Sequence, residues 1–368
     1  MIPLAQVQLS EREIEAVTEV LRSGKLREGE KCRQFEQRFA QVVGAQHATT
    51  MANGTVALHA AYMSLTEAGD EVIVPALTFF ATASMVSFAG GKPVFCDVDR
   101  KTFTIDLNDV ESKITSKTKA IAPVHLFGNA CDIDEIRSLA DKYRLRVIWD
   151  AAQAHLAKYK GNDVGAFGDV VCYSFYATKN MTTGEGGMIT SDDEEIIKNC
   201  ILIKHQGQTG KYFHTVLGTN YRMTDIQAAI GLVQLEQLPW YTERRRANAS
   251  YLMNNLREIE TITVPYAHDF VEHSYHHFTV LLDVEALDVS RDQFVERLGS
   301  MGVQAGVNYP TPLHKQPVFK EAGQNSLPNA EWVAQRCVSL PVHPHLTEND
   351  LQRIVTSVSR ICNGKGDK

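Results

Sequence analysis

Short apolar runs alternate with helical patterns over the first two thirds of the chain, and this alternation limits the available folds more than any other feature. The runs lie at His47–Met51 and near residues 72–74, 93–98, 120–124, 146–149 and 170–175. Helical spacing marks residues 11–22, 32–43 and 56–65 and Ile133–Tyr143. Strands that are apolar throughout, separated by stretches long enough to cross over, predict a largely parallel sheet covered by helices on both faces. From about Trp240 the pattern changes. A polar helix at 243–256 is followed by antiparallel-looking strands around Phe278–Leu282, a helix at 291–301, a proline-bearing loop at 309–317 and closing helices at 330–337 and 348–361. The expectation is an α/β fold in two domains, residues 1–240 carrying the sheet and residues 241–368 forming a smaller α+β domain. A chain of 368 residues has room for both.

Ligands of parallel sheets bind beyond the carboxyl ends of the strands, so the strand exits carry the functional reading. The richest exit is Cys172 to Thr190, CYSFYATKNMTTGEGGMIT. Here a β-prone run gives way to Ser174, Thr178 and Lys179, then to the glycine-rich turn Gly184-Glu185-Gly186-Gly187. A partly desolvated lysine sheds its proton more readily and can attack a carbonyl. Neighbouring hydroxyls can hold a phosphate, and glycines let the backbone approach a flat ligand. After the first strand, Asn53-Gly54-Thr55 opens a helix, as a plain cap or as an anion site. After the second come Phe79 and Phe80, core residues or a cover for a planar ring. Asp150 ends the fifth, as a helix cap or as the counter-ion of a protonated pyridine. Each exit alone has an ordinary structural reading; together they suit one phosphorylated aromatic aldehyde, pyridoxal 5′-phosphate (PLP), bound to Lys179.

Composition narrows the partners. Apolar residues make up 44% and charged residues 22%, and the net charge of −7 argues against nucleic acid. No apolar run approaches a bilayer span, and the N-terminus lacks the features of a signal peptide, so no membrane role is expected. Seven cysteines without a CxxC pair suggest reduced thiols in a cytoplasm. His273, His276 and His277, with His343 and His345, could suggest a metal, but they fall where a small-domain strand is expected and no metal is assigned. The triplet Arg244-Arg245-Arg246 reads as one face of a solvated helix, with a diphosphate site as the alternative.

Longer motifs carry a resemblance along nearly the whole chain. They are Asp150-Ala151-Ala152-Gln153-Ala154-His155, Gly165-Ala166-Phe167-Gly168-Asp169, Tyr173-Ser174-Phe175 with Thr178-Lys179-Asn180, the glycine-rich turn, Asn220 through Ala229, and Tyr309-Pro310-Thr311-Pro312-Leu313-His314. On these the sequence resembles the DegT/DnrJ/EryC1/StrS family of PLP-dependent sugar aminotransferases. The resemblance implies the type I fold of PLP-dependent transferases, aspartate aminotransferase-like. It makes Lys179 the Schiff-base lysine and proton shuttle, Asp150 the partner of the pyridinium nitrogen, and Gln153 the partner of the cofactor's 3-hydroxyl. Ser174, Gly54 and Thr55 would hold the phosphate, Phe79 would stack on the ring, and Asn220 would reach the phosphate of a neighbouring subunit in a homodimer with shared sites. His314 and Tyr309 are the candidate substrate contacts, with Lys25 and Arg27 near the predicted site.

Two departures stand out. Leu156-Ala157 replaces a segment that usually begins with glycine, which narrows the space beside the cofactor or shifts the turn. The tract 23–27 lacks the tryptophan often found there. The implied reaction moves an amino group from glutamate or glutamine to a keto sugar, nucleotide-linked or, as an alternative, a cyclitol ketone, with pyridoxamine phosphate between the two halves. A PLP-dependent sugar dehydratase would carry histidine in place of Lys179. A non-catalytic PLP-binding regulator would not need the full Lys179, Asp150 and Gln153 set.

Overall fold

The structure, a computed structural model, describes residues 1–322 and 326–364. Seven strands form the main sheet: β1 (His47–Met51), β2 (Glu71–Pro75), β3 (Lys92–Cys96), β4 (Thr118–Ile121), β5 (Arg146–Asp150), β6 (Val170–Ser174) and β7 (Gly187–Ser191). Their spatial order is β1-β7-β6-β5-β4-β2-β3. β7 runs antiparallel to both neighbours and every other pairing is parallel. The six expected runs are all strands, within a few residues of their expected ends.

Successive side chains of a strand face opposite ways, and each face carries its own core. On β2, Val72 and Val74 pack with Ala57, Leu58 and Tyr62 of helix Gly54–Leu65 and with Ala83 and Val86 of helix Ala81–Phe88. Ile73, between them, faces a second cluster with Phe35 and Phe39 of helix Glu30–Val43, Ile136 of helix Ile133–Tyr143 and Trp149. A third core, containing Phe278, Val280, Leu298, Val338 and Ile354, lies under an antiparallel sheet of Ile262–Thr263, Phe278–Leu282 and Cys337–Leu340.

The chain around residue 240 differs from the sequence reading in a way that affects the site. The polar helix begins eighteen residues earlier than position 243, and Asp225–Leu256 is one 32-residue helix with Pro239 inside it. Thr224 and Gln227 form a capping box at its start. Residues 240 and 241 therefore lie within one helix. Ile2, from the other end of the chain, pairs with Val303 and joins the third core.

The arginine triplet on this helix is not a solvated face. Arg244 donates to the carbonyls of Pro344 and Leu346, Arg245 to those of Tyr275 and His276, and Arg246 to those of His273, Leu156 and Glu272. All three bind the helix to later or distant backbone, which leaves no free guanidinium cluster for a diphosphate. Leu156 keeps the turn that glycine would make, at φ 54°. Its side chain packs into the second core and is absent from the cavity wall described below, so it does not narrow the cofactor space.

Candidate active site

A cavity of about 530 Å³ opens at the carboxyl ends of β2, β4, β5 and β6. Its wall contains Gly54, Thr55, Phe79, Asp150, Gln153, Ser174, Lys179 and Tyr309, which brings together eight of the ten residues singled out in the sequence. They come from six separate segments, and the sheet topology is what assembles them.

Asp150 is the last residue of β5 and is buried. Its Oδ2 accepts from Thr82 Oγ1 at 2.8 Å and its Oδ1 from the Ala152 amide at 3.0 Å. Burial raises its carboxyl pKa, while these two donors and the positive charge of Lys179 pull it down. No salt-bridging cation touches it among the described residues. A protonated ring nitrogen delivered by a ligand would supply one. Gln153 Oε1 accepts from the Phe127 amide at 2.8 Å and its Nε2 donates to the Tyr309 hydroxyl at 2.9 Å, so both ends of the amide are oriented.

Lys179 lies in the loop joining β6 to β7. Its amide donates to Tyr176 O, and the loop is closed by Phe175 N to Gly186 O at 2.8 Å and Thr183 N to Phe175 O at 3.0 Å. The glycine-rich turn follows from close contacts. Gly184 sits at φ 81°, a Cβ on Gly186 would lie 2.1 Å from Thr183 Oγ1, and a Cβ on Gly187 would lie 2.5 Å from Asn53 O. Lys179 is half-buried and lines the cavity. Loss of water lowers its pKa to about 8, against the opposing pull of Asp150. At neutral pH a useful fraction of the amine is therefore unprotonated.

Across the cavity, the first turn of helix Gly54–Leu65 is capped by Asn53, whose Oδ1 accepts from Val56 N at 3.0 Å. A Cβ on Gly54 would stand 2.6 Å from Ser174 Cβ, so only glycine lets this helix start against the end of β6. A helix N-terminus beside two hydroxyls, Thr55 and Ser174, is an anion site. The residues fit PLP: amine, carboxylate, oriented amide and anion cradle line one cavity. Phe79, 54% exposed, sits on the wall with its ring centroid 6.2 Å from that of Tyr309.

Two expected residues lie elsewhere. The His314 ring is buried and its Nε2 meets Glu331 at 3.0 Å, away from the cavity wall. Asn220 is exposed, bridged to His205 beyond the loop 207–219, and does not line its own chain's cavity. Lys25 and Arg27 are exposed and outside the wall as well. The wall also has members that the sequence reading gave no role in the site. Asn308 had no signal of its own. His276 and His277 had only the histidine run, for which a metal was weighed and none assigned; no group of three or more His, Cys, Asp or Glu side chains able to hold one occurs among the described residues. Thr82, which orients Asp150 from outside the wall, was equally unmarked.

The fold and this lysine-centred cavity define an aminotransferase-like architecture, and comparison with known proteins supports that class. S. venezuelae DesV, solved in complex with a ketimine intermediate, superposes with a TM-score of 0.92 at 34% identity, covering 96% of this chain and 94% of DesV. GDP-perosamine synthase of Escherichia coli O157:H7 is 37% identical over 99% of both chains. A protein named as a pleiotropic regulatory protein in Geobacillus stearothermophilus is 39% identical over 96% of this chain and 95% of its own. The sequence profile of the DegT/DnrJ/EryC1/StrS aminotransferase family matches residues 7–359, and the chain belongs to that family.

Proposed function

We propose that the protein transfers an amino group from glutamate or glutamine to a nucleotide-linked keto sugar, using PLP held in this cavity. Lys179 would bind the cofactor covalently, Asp150 would face its ring nitrogen, and Gln153 its 3-hydroxyl. Gly54, Thr55 and Ser174 would hold its phosphate and Phe79 would cover its ring. When bound, PLP supplies an electron sink that stabilises negative charge at the carbon attached to the amino group. The chain's own residues then do three things. Asp150 would keep the ring nitrogen protonated, Lys179 would carry a proton to and from the substrate carbon, and Gln153 with Tyr309 would hold the ring. The full set favours turnover over a binding-only regulator.

The observation that carries the acceptor class is the wall's charge. Among the described residues lining the cavity, Lys179 is the one lysine and there is no arginine. A second substrate carboxylate would want a bidentate guanidinium, and an uncharged, hydroxylated ring does not. We propose further that two copies share their sites, each Asn220 reaching its partner's phosphate. In support, the loop before it exposes Tyr212, Phe213, Val216 and Leu217 at 83, 65, 45 and 89%, an apolar surface that a second copy would cover.

The test is an acceptor panel. With glutamate as donor, 2-oxoglutarate should accumulate when a nucleotide-linked keto sugar is added. Accumulation only with a keto acid or an inosose would overturn the sugar assignment while leaving amino transfer intact.

A further inference from the structure

The cavity wall contains a second constellation that amino transfer alone does not require. Residues 274–277 are stitched to the Lys179 loop and to neighbouring segments. Asn180, directly after Lys179, donates from Nδ2 to Ser274 O at 3.2 Å and accepts through Oδ1 from His276 Nδ1 at 3.2 Å. Arg245 Nη1 reaches the carbonyls of Tyr275 and His276 at 3.1 and 3.3 Å, and His277 N donates to Phe127 O at 3.2 Å. Asn308 Nδ2 donates to Ser339 Oγ and to His277 Nε2, both at 3.4 Å.

These bonds fix the tautomers. With Nε2 of His277 accepting, its proton is on Nδ1, and no side chain or carbonyl among the described residues accepts it. Oδ1 of Asn308 is likewise left as an acceptor beside it. His276, with its proton on Nδ1, keeps Nε2 as an acceptor. Burial, together with the positive charges of Lys179 and Arg245, holds both imidazoles uncharged at neutral pH, His277 at a pKa of about 3. The result is a row of neutral donors and acceptors, side by side, facing the same cavity as the reactive amine. A hydroxyl both donates and accepts and matches such a row; a carboxylate or phosphate finds no charge there.

We infer that His277, with Asn308 and His276, is a specificity-determining subsite that binds hydroxyl groups of the acceptor's sugar ring and orients its ketone toward Lys179. This rests on the keto-sugar reading above. His277 is the member to test, since it is half-buried and its ring rests between the edge of Phe127 and the His276 ring, 4.2 Å away, contacts that another aromatic ring can keep.

The experiment uses the holoenzyme and an accepted keto sugar with its single-deoxy analogues. His277→Phe keeps the ring against Phe127 and removes the hydrogen bonds, whereas His277→Gln keeps a donor and an acceptor. For His277→Phe the acceptor KM should rise about ten-fold, near the upper value of one lost neutral hydrogen bond. The glutamate half-reaction and the bound-cofactor spectrum should stay as in the wild type. Calorimetric affinity for the amino-sugar product should weaken to match, preference for the parent sugar over one deoxy analogue should disappear, and His277→Gln should recover most of each. An unchanged acceptor KM and product affinity in His277→Phe overturns the inference while leaving the sugar assignment standing. A loss on the glutamate side overturns it too, because the row would then serve the donor. If the wild type takes no keto sugar, this inference falls together with the proposed function.

Discussion

At the scale of single residues, chemistry was legible wherever a group announced itself by an unusual setting. Asp150 ends an apolar strand and Lys179 follows one, and either placement costs free energy without a partner. Thr82 and Asn308 gave no such signal, because their importance comes from meeting residues 68 and 31 positions away. Asp150→Asn should cut kcat by a few orders of magnitude with an unchanged melting temperature, since the loss is electronic; near-normal turnover would make Asp150 a mere cap. Thr82→Val removes one hydrogen bond from the same carboxylate and should cost about three- to ten-fold in kcat/KM. The lowered pKa of Lys179 gives a pH prediction. Covalent capture of PLP by apo-protein requires the neutral amine, so its rate should rise with pH up to about 8 and level off there. A rise continuing to the ordinary lysine range would show that the amine is solvated. The sign for stability follows. Between about 8 and the unfolded lysine value of 10.5 the unfolded apo-chain holds more protons, so this group adds stability as pH rises through that window.

At the scale of elements, the strands and most helices were legible from period and length, while Asp225–Leu256 was not. Pro239 interrupts its pattern, and the proline's usual cost in a helix interior is about 3 kcal/mol. Packing overrides that cost here: Ala228, Leu232 and Leu235 before the proline and Leu252 and Leu256 after it are all buried. The arginine triplet misled for a related reason, since charge on a helix usually means solvent, yet Arg245 is buried against carbonyls and its pKa is lowered to about 10. The start of helix Gly54–Leu65 gives the sharpest element-scale prediction. In Gly54→Ala the added carbon lies 2.6 Å from Ser174 Cβ, so the helix start or the end of β6 must shift. Overpacking of this kind costs about 1–3 kcal/mol. Cofactor affinity should fall at least about ten-fold, with a lower melting temperature, and retention of both would mean that the cradle is softer than its contacts imply.

At the scale of the whole molecule, the sequence marked the individual strand exits and Tyr309 but not the wall they share with His276, His277 and Asn308. That wall depends on how the C-terminal part of the chain folds back over the sheet, and no local pattern encodes it. Sharing of sites between copies is tested by mixing subunits. Co-expressed Lys179→Ala and Asn220→Ala chains should regain activity above either parent, because a mixed dimer would hold one site with both groups intact. Absence of recovery would confine Asn220 to its own chain. The account as a whole stands on one amine in one cavity carrying the cofactor. Purified protein loaded with PLP, reduced with borohydride and digested, should yield a single labelled peptide containing Lys179, and Lys179→Ala should yield none while still binding PLP non-covalently. Label on any other lysine would contradict it.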